Sequence, residues 1–275
     1  MVHRLDMICV SFRRRTIVIV RSFWTIVGLV AISASCGDGG SFGPSLPENQ
    51  SPSGVWRGPF TSTTNVAVYP VTGLVSENND AQFLASVISQ RHYSGNVAVD
   101  GATLTGTLNV YVGREGPFVG IDSVQNIVLN GTASERDGLF GDYTGADDEG
   151  RFNLNYDRIY EDGSSLDLVR GLWTYTEASA GGALYTVTLD IDANGTVFGS
   201  DTEGCVYSGQ LSIIDSDFNS YRATVSVSTC IRKIRNIGSY TGLAYLSSIG
   251  DGQVSQLTMG VSKTNRAFAA LLQRL

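Results

Sequence analysis

Charge is scarce in this 275-residue chain: only 16% of residues are Asp, Glu, Lys or Arg. Histidine is scarcer still, with His3 and His92 alone. A hydrolytic triad needs a histidine between a nucleophile and an orienting acid. His92 is its one candidate once the N-terminal segment is set aside, and no serine stands in the strand-to-helix context of a nucleophile elbow. Beside Tyr93 at the start of a strand-like run, His92 reads as a surface or rim residue. No phosphate loop or dinucleotide fingerprint occurs, so no cofactor and no catalytic residue is expected. Cys205 and Cys230 alone do not complete a zinc site, and no histidine lies near them.

What is abundant is strand and turn chemistry. The chain has 32 glycines and 12 tyrosines, and Thr, Ser and Val crowd its middle. That composition favours β structure over helix. Net charge is −7, but the first 35 residues carry five arginines and only Asp6. Without them, the 19 basic and 26 acidic residues become 14 and 25, a net −11. So acidic a body repels a phosphate backbone, and nucleic acid is excluded as a partner.

Residues 22–33, SFWTIVGLVAIS, form an apolar run of the length of a signal-peptide core. Arg21 precedes it; Ala34, Ser35 and Cys36 follow. An uncleaved anchor over residues 16–35 is disfavoured by Arg21, a charge that would be costly inside a bilayer. Residues 37–53 are rich in Gly, Ser and Pro and read as a tether spanning roughly 22 Å as a random coil. The segment from Ser33 to Cys36 resembles a bacterial lipoprotein signal, although Ser33 stands where that family has Leu. The resemblance implies cleavage after residue 35 and acylation of Cys36, palmitate included. Gly37 in place of Asp implies export to the outer membrane, so the membrane partner would be reached through a lipid anchor. The preceding RRRTIVIV is faintly similar to a twin-arginine signal, but Arg21 interrupts its apolar run. A translation start near Val20 would leave a compact signal.

Beyond residue 53 the chain repeats itself. Gly-x-Trp at 54–56 returns at 171–173, Tyr-Ser-Gly at 93–95 returns at 207–209, and Gly-x-Tyr-Thr-Gly at 141–145 returns at 238–242. Trp and Tyr lie 37 and 34 residues apart in the two copies, whereas the last interval is 50 against 33, implying an insertion in the first copy. Order and spacing point to a tandem duplication, with domains at 54–170 and 171–275. Period-two alternation, as in Tyr185, Val187, Leu189 and Ile191, marks strands with one buried face. Eight runs are expected in the second copy: 171–177, 184–192, 196–201, 205–214, 220–229, 238–248, 253–262 and 266–274. The last is also compatible with a short helix. The expected fold class is all-β: two tandem up-and-down barrels of about eight antiparallel strands each, whose closure removes sheet edges.

DIDANGTVFGSD, residues 190–201, matches much of a calcium-loop pattern. Its flanks are strand-like and its twelfth position is Asp201 rather than Glu. A hairpin pivoting between Asn194 and Gly195 is the simpler reading, pairing Asp192 with Val197 and Asp190 with Gly199. Asp100-Gly101 reads as another such turn. ADDEG at 146–150 reads as an exposed acidic loop, and DRIYEDGSSLD as a turn. An oxidising compartment permits a disulfide between Cys205 and Cys230, about a hairpin centred between Asp217 and Phe218. In that register the apolar positions of the two strands oppose, so a one-residue bulge, or Cys230 just past its strand, is required.

Gly-x-Trp resembles the opening strand of lipocalin-like barrels, in which the Trp plugs one end. Together with GCVYSG at 204–209, NSY at 219–221 and Cys230, the chain resembles uncharacterised proteobacterial lipoproteins, best over residues 36–60 and 171–242. This implies location and fold and names no substrate. The expected function is a non-enzymatic envelope lipoprotein presenting its barrels to a protein partner or in a structural role. The alternative is a lipocalin-like carrier of a small apolar ligand, which requires a roomy cavity.

Overall fold

The computed structural model describes residues 11–12, 15–16, 50–86, 90–178, 184–231, 234–248 and 254–275. The expected signal segment, Cys36 and the tether to residue 49 lie outside them, apart from a two-residue ladder of Ser11–Phe12 with Arg15–Thr16. The remainder belongs to one compact unit, Ser45–Leu275. The expected tether is too long at its end. Pro52 is buried, Gln50 donates its N–H to the Gly101 carbonyl at 2.8 Å, and Ser53 Oγ donates to the Ser76 carbonyl at 3.1 Å.

Among the described residues this unit is a sixteen-stranded antiparallel sheet. Its first half holds β1 (Gly54–Ser62), β2 (Ala67–Val75), β3 (Asp80–Ala85), β4 (Arg91–Asp100), β5 (Thr103–Glu115), β6 (Phe118–Ser134), β7 (Gly138–Gly145) and β8 (Glu149–Asp157). Each pairs with the next, and β8 returns to pair with β1, closing an eight-stranded barrel. Inside it, Phe60 stacks on Tyr93 at 4.7 Å and packs against Phe83, Tyr143 and Phe152 at 5.6–6.0 Å. A 3₁₀ turn (Arg158–Asp162), capped by Asp157, and a one-turn helix, α1 (Leu166–Val169), capped by Ser165, lead onward. They replace the plain turn expected for DRIYEDGSSLD.

The second half holds β9 (Gly171–Ala178), β10 (Leu184–Ile191), β11 (Thr196–Asp201), β12 (Val206–Asp215), β13 (Ser220–Ser228), β14 (Gly238–Ser248), β15 (Val254–Lys263) and β16 (Arg266–Arg274). Each of these bounds matches its expected run to within one residue. The sequence 266–274 is strand, not helix. Its apolar residues are nearly continuous because both faces are buried: Phe268, Ala270 and Leu272 face the second half's core, while Ala267 and Ala269 face the first half. β16 also meets β9, through Trp173↔Arg274 and Thr174↔Gln273 alone.

Beyond those two pairs β9 and β16 part, and the tip of the long β5–β6 hairpin enters. Phe118 and Val119 pair with Phe268 and Ala267, the Ala269 N–H donates to the Pro117 carbonyl at 2.8 Å, and Phe118 joins the second half's core. Of the repeated motifs, Trp56 and Trp173 occupy first strands, and Tyr93 and Tyr207 occupy fourth strands. Tyr143 lies on the seventh strand of its half and Tyr240 on the sixth, so the longer first interval contains a whole extra strand.

Two local expectations need correction. The hairpin at 190–201 pairs Ile191 with Val197 and Leu189 with Gly199, one residue away from the expected register. Asp192 is the cause: its Oδ1 accepts the Asn194 and Thr196 N–H groups, both at 2.8 Å, and Gly195 takes the positive φ of 79°. Ile191 and Val197 thereby share the buried face. The Asp100-Gly101 turn likewise moves one residue, to Gly101-Ala102, between paired Asp100 and Thr103. Cys205 and Cys230 are joined, their Cα atoms 3.9 Å apart. Either of the two expected adjustments would have sufficed and both are present: a register shift between Ile213 and Asp215, and Cys230 beyond the end of β13.

Candidate functional site

Each half carries a buried Trp and an Asp–Tyr cluster. Trp56 and Trp173, both fully buried, sit near the start of their first strands. At the far end of β1, roughly 20 Å away at strand rise, Asp148 accepts Ser62 Oγ at 2.5 Å, Arg91 Nη1 at 3.2 Å and Tyr143 Oη at 3.4 Å. Arg91 also lies over the Tyr69 ring at 4.0 Å. Burial, reinforced by Asp148, holds the Tyr143 phenol well above its ordinary range. Asp148 is 5% exposed, so the acidic loop at 146–150 is not the fully solvated one expected.

In the second half Asp201 does similar work. It accepts Tyr207 Oη at 2.6 Å, the Tyr185 hydroxyl, and the Glu203 and Cys205 N–H groups at 2.9 Å. Its carboxylate turns to these partners while Asp192 caps its own turn and Asp190 is exposed. The calcium-loop candidates therefore do not converge. Among the described residues no group of three or more His, Cys, Asp or Glu side chains could hold a metal ion.

His92 is fully buried, which overturns its reading as a surface or rim residue. Alternation explains this: Tyr93 points into the barrel, so His92 points out of it, onto the second half. There the halves interlock. An added Cβ on Gly260 would lie 2.2 Å from Gln82 Oε1 and 2.7 Å from His92 Cε1, and one on Gly242 would lie 2.0 Å from Gln82 Nε2. Thr72 and Tyr245 share a hydrogen bond at 2.6 Å across the same junction, and Ser94 and Ser262 one at 2.9 Å. Neither imidazole nitrogen has a hydrogen-bond partner among the described residues. Burial, aided by Arg114, lowers the His92 pKa to about 3.

Among the described residues the halves part at an apolar recess of about 280 Å³. Pro70 and Leu84 of the first half face Tyr175 and Leu271 of the second. Arg114, from the β5–β6 tip, lines it with a side chain only 7% exposed. Its Nη2 donates to Tyr175 Oη at 2.5 Å and to the Ala269 carbonyl at 3.3 Å, while Nε lies 3.5 Å from the Glu177 carboxylate without a hydrogen bond. Burial, opposed by Arg114 and reinforced by Glu177, pushes the Tyr175 phenol up to about 12. Sequence reading missed this group. Arg114 and Tyr175 are 61 residues apart, and only the charge in the Gly-Arg-Glu-Gly turn at 113–116 could have drawn attention.

Comparison with protein-family models, curated proteins and solved structures finds no significant match to this chain.

Proposed function

We propose that the chain is a lipid-anchored envelope protein of the outer membrane, tethered through Cys36, and that it acts by binding rather than catalysis. Its body is read as two tandem eight-stranded barrels. The pairing of β9 with β16, the shared Trp and Tyr-Ser-Gly positions and the equal strand numbers support a duplication. The Cys205–Cys230 disulfide supports an oxidising compartment. The observation that carries the binding reading is the inter-half recess, whose lining is mostly apolar, whereas a second opening between the halves, about 210 Å³ around Gln82 and Gly242, is lined mostly by polar groups. A ligand held in a barrel mouth is less well supported, because aromatic side chains fill the first barrel and each half carries a buried Trp and an Asp–Tyr cluster. The carrier alternative therefore moves from the barrel interior to this recess.

The anchor is tested by Cys36→Ala. Metabolic labelling with palmitate should mark the parent, and the variant should lose both label and membrane fractionation. Normal maturation and unchanged fractionation of the variant would refute lipid anchoring.

A further inference from the structure

We infer that the recess between the halves is a binding site for a small, uncharged, largely apolar molecule carrying one hydrogen-bond acceptor oxygen, such as a medium-chain alcohol, ketone or ester. The inference deepens the binding reading above and rests on it. Its first support is shape. The two walls meet through a buried apolar cluster that sets Leu74 against Leu243 and Tyr245, and a separate, polar opening lies between them around Gln82 and Gly242. At Pro70, Leu84, Tyr175 and Leu271 they separate and leave about 280 Å³ unfilled. An apolar gap of this kind forfeits dispersion contacts unless a guest supplies them.

The second support is chemical and independent of shape. Arg114 brings a buried Nε–H that makes no hydrogen bond, and buried donors are ordinarily paired. One acceptor atom would satisfy it. The third concerns charge. The Arg114 cation already faces the Glu177 carboxylate at 3.5 Å, and Tyr175 Oη donates to that same carboxylate. The polar end of the recess is thus close to neutral. An anionic head group would be set against the Glu177 carboxylate and repelled by it. A neutral oxygen meets the Arg114 Nε–H, which makes no hydrogen bond, without that opposition.

The test uses the full chain as the cell processes it, with decanol carrying a diazirine as photoprobe and mass-spectrometric mapping of the labelled peptides. Labelling should concentrate on β3 around Leu84 and on β16 around Leu271, and unlabelled decanol should compete it away. Leu271→Trp, which fills the recess from its rim, should reduce labelling at least tenfold with the melting temperature unchanged. Val206→Trp, on a remote wall, should leave labelling intact. The decanoic acid probe should label at least tenfold more weakly. Labelling that is diffuse, or indifferent to Leu271→Trp, overturns the site. Labelling of barrel-interior peptides around Tyr207 and Leu211 overturns this site while preserving a binding role. Equal labelling by decanoic acid overturns the neutral-ligand assignment. None of these outcomes bears on Cys36 acylation, which is read separately by palmitate.

Discussion

Trp56 and Trp173 make the same bond in the two halves: each donates its indole N–H to the carbonyl four residues upstream, Pro52 at 2.9 Å and Val169 at 2.7 Å. Each ring is fully buried. The bond satisfies the one polar atom of a large apolar group, and in doing so pins the chain segment that leads into each first strand. Trp56→Ala and Trp173→Ala should each cost about 3–5 kcal/mol. Denaturant unfolding of each variant checks this. A loss below about 0.5 kcal/mol, within the range of an ordinary surface change, would mean that the ring is not a plug.

His92 should make stability depend on pH. The unfolded chain takes up a proton near pH 6.5, whereas the folded chain resists it until about pH 3. Its contribution is therefore fully present above pH 6.5 and declines as pH falls toward 3, by at most about 1.4 kcal/mol per pH unit. His92→Leu should flatten the melting-temperature profile between those limits. An unchanged slope would place the histidine in contact with water.

The glycine notch should be equally sensitive. Gly260→Ala sets a methyl group 2.2 Å from Gln82 Oε1 and should separate the halves locally, at a cost of about 1–3 kcal/mol for overpacking. Pairing it with Gln82→Ala should recover part of the loss, a coupling that a double-mutant cycle measures.

Reduction of Cys205–Cys230 should cost about 3.5 kcal/mol, the loop-closure value for a sequence separation of 25. Thermal melting with and without reductant, against Cys205→Ser, checks it.

Millimolar calcium should leave the melting temperature unchanged, since Asp190, Asp192 and Asp201 have separate surroundings. Gly195→Val should lower it, because φ is 79° there and the new Cβ would lie 2.3 Å from the Leu211 carbonyl oxygen. A calcium-dependent rise abolished by Asp192→Asn would restore the loop-site reading.

The sequence by itself determined the strands of the second half. There Tyr185 to Ile191 and Tyr221 to Val227 alternate cleanly, because one face is core and the other is water. It also pointed to the disulfide, and to a bulge or a Cys230 just past its strand as the adjustment its register demands. Only the tertiary structure decided what covers the outer walls. Alternation fails in β3 and β16, where both faces are buried, and a continuous apolar run does not say whether it is strand or helix or what lies on its second side. The turn at 190–201 shifted by one residue because a side chain, Asp192, caps it, and the Asn-Gly pair alone does not report that competition. His92 carries the same lesson. Its sequence neighbours suit a rim, and its burial follows from a wall supplied by Gly242 and Gly260, far along the chain. The recess is a difference between two surfaces, so Arg114, Tyr175 and Leu271 became one site only when the β5–β6 tip crossed between the halves.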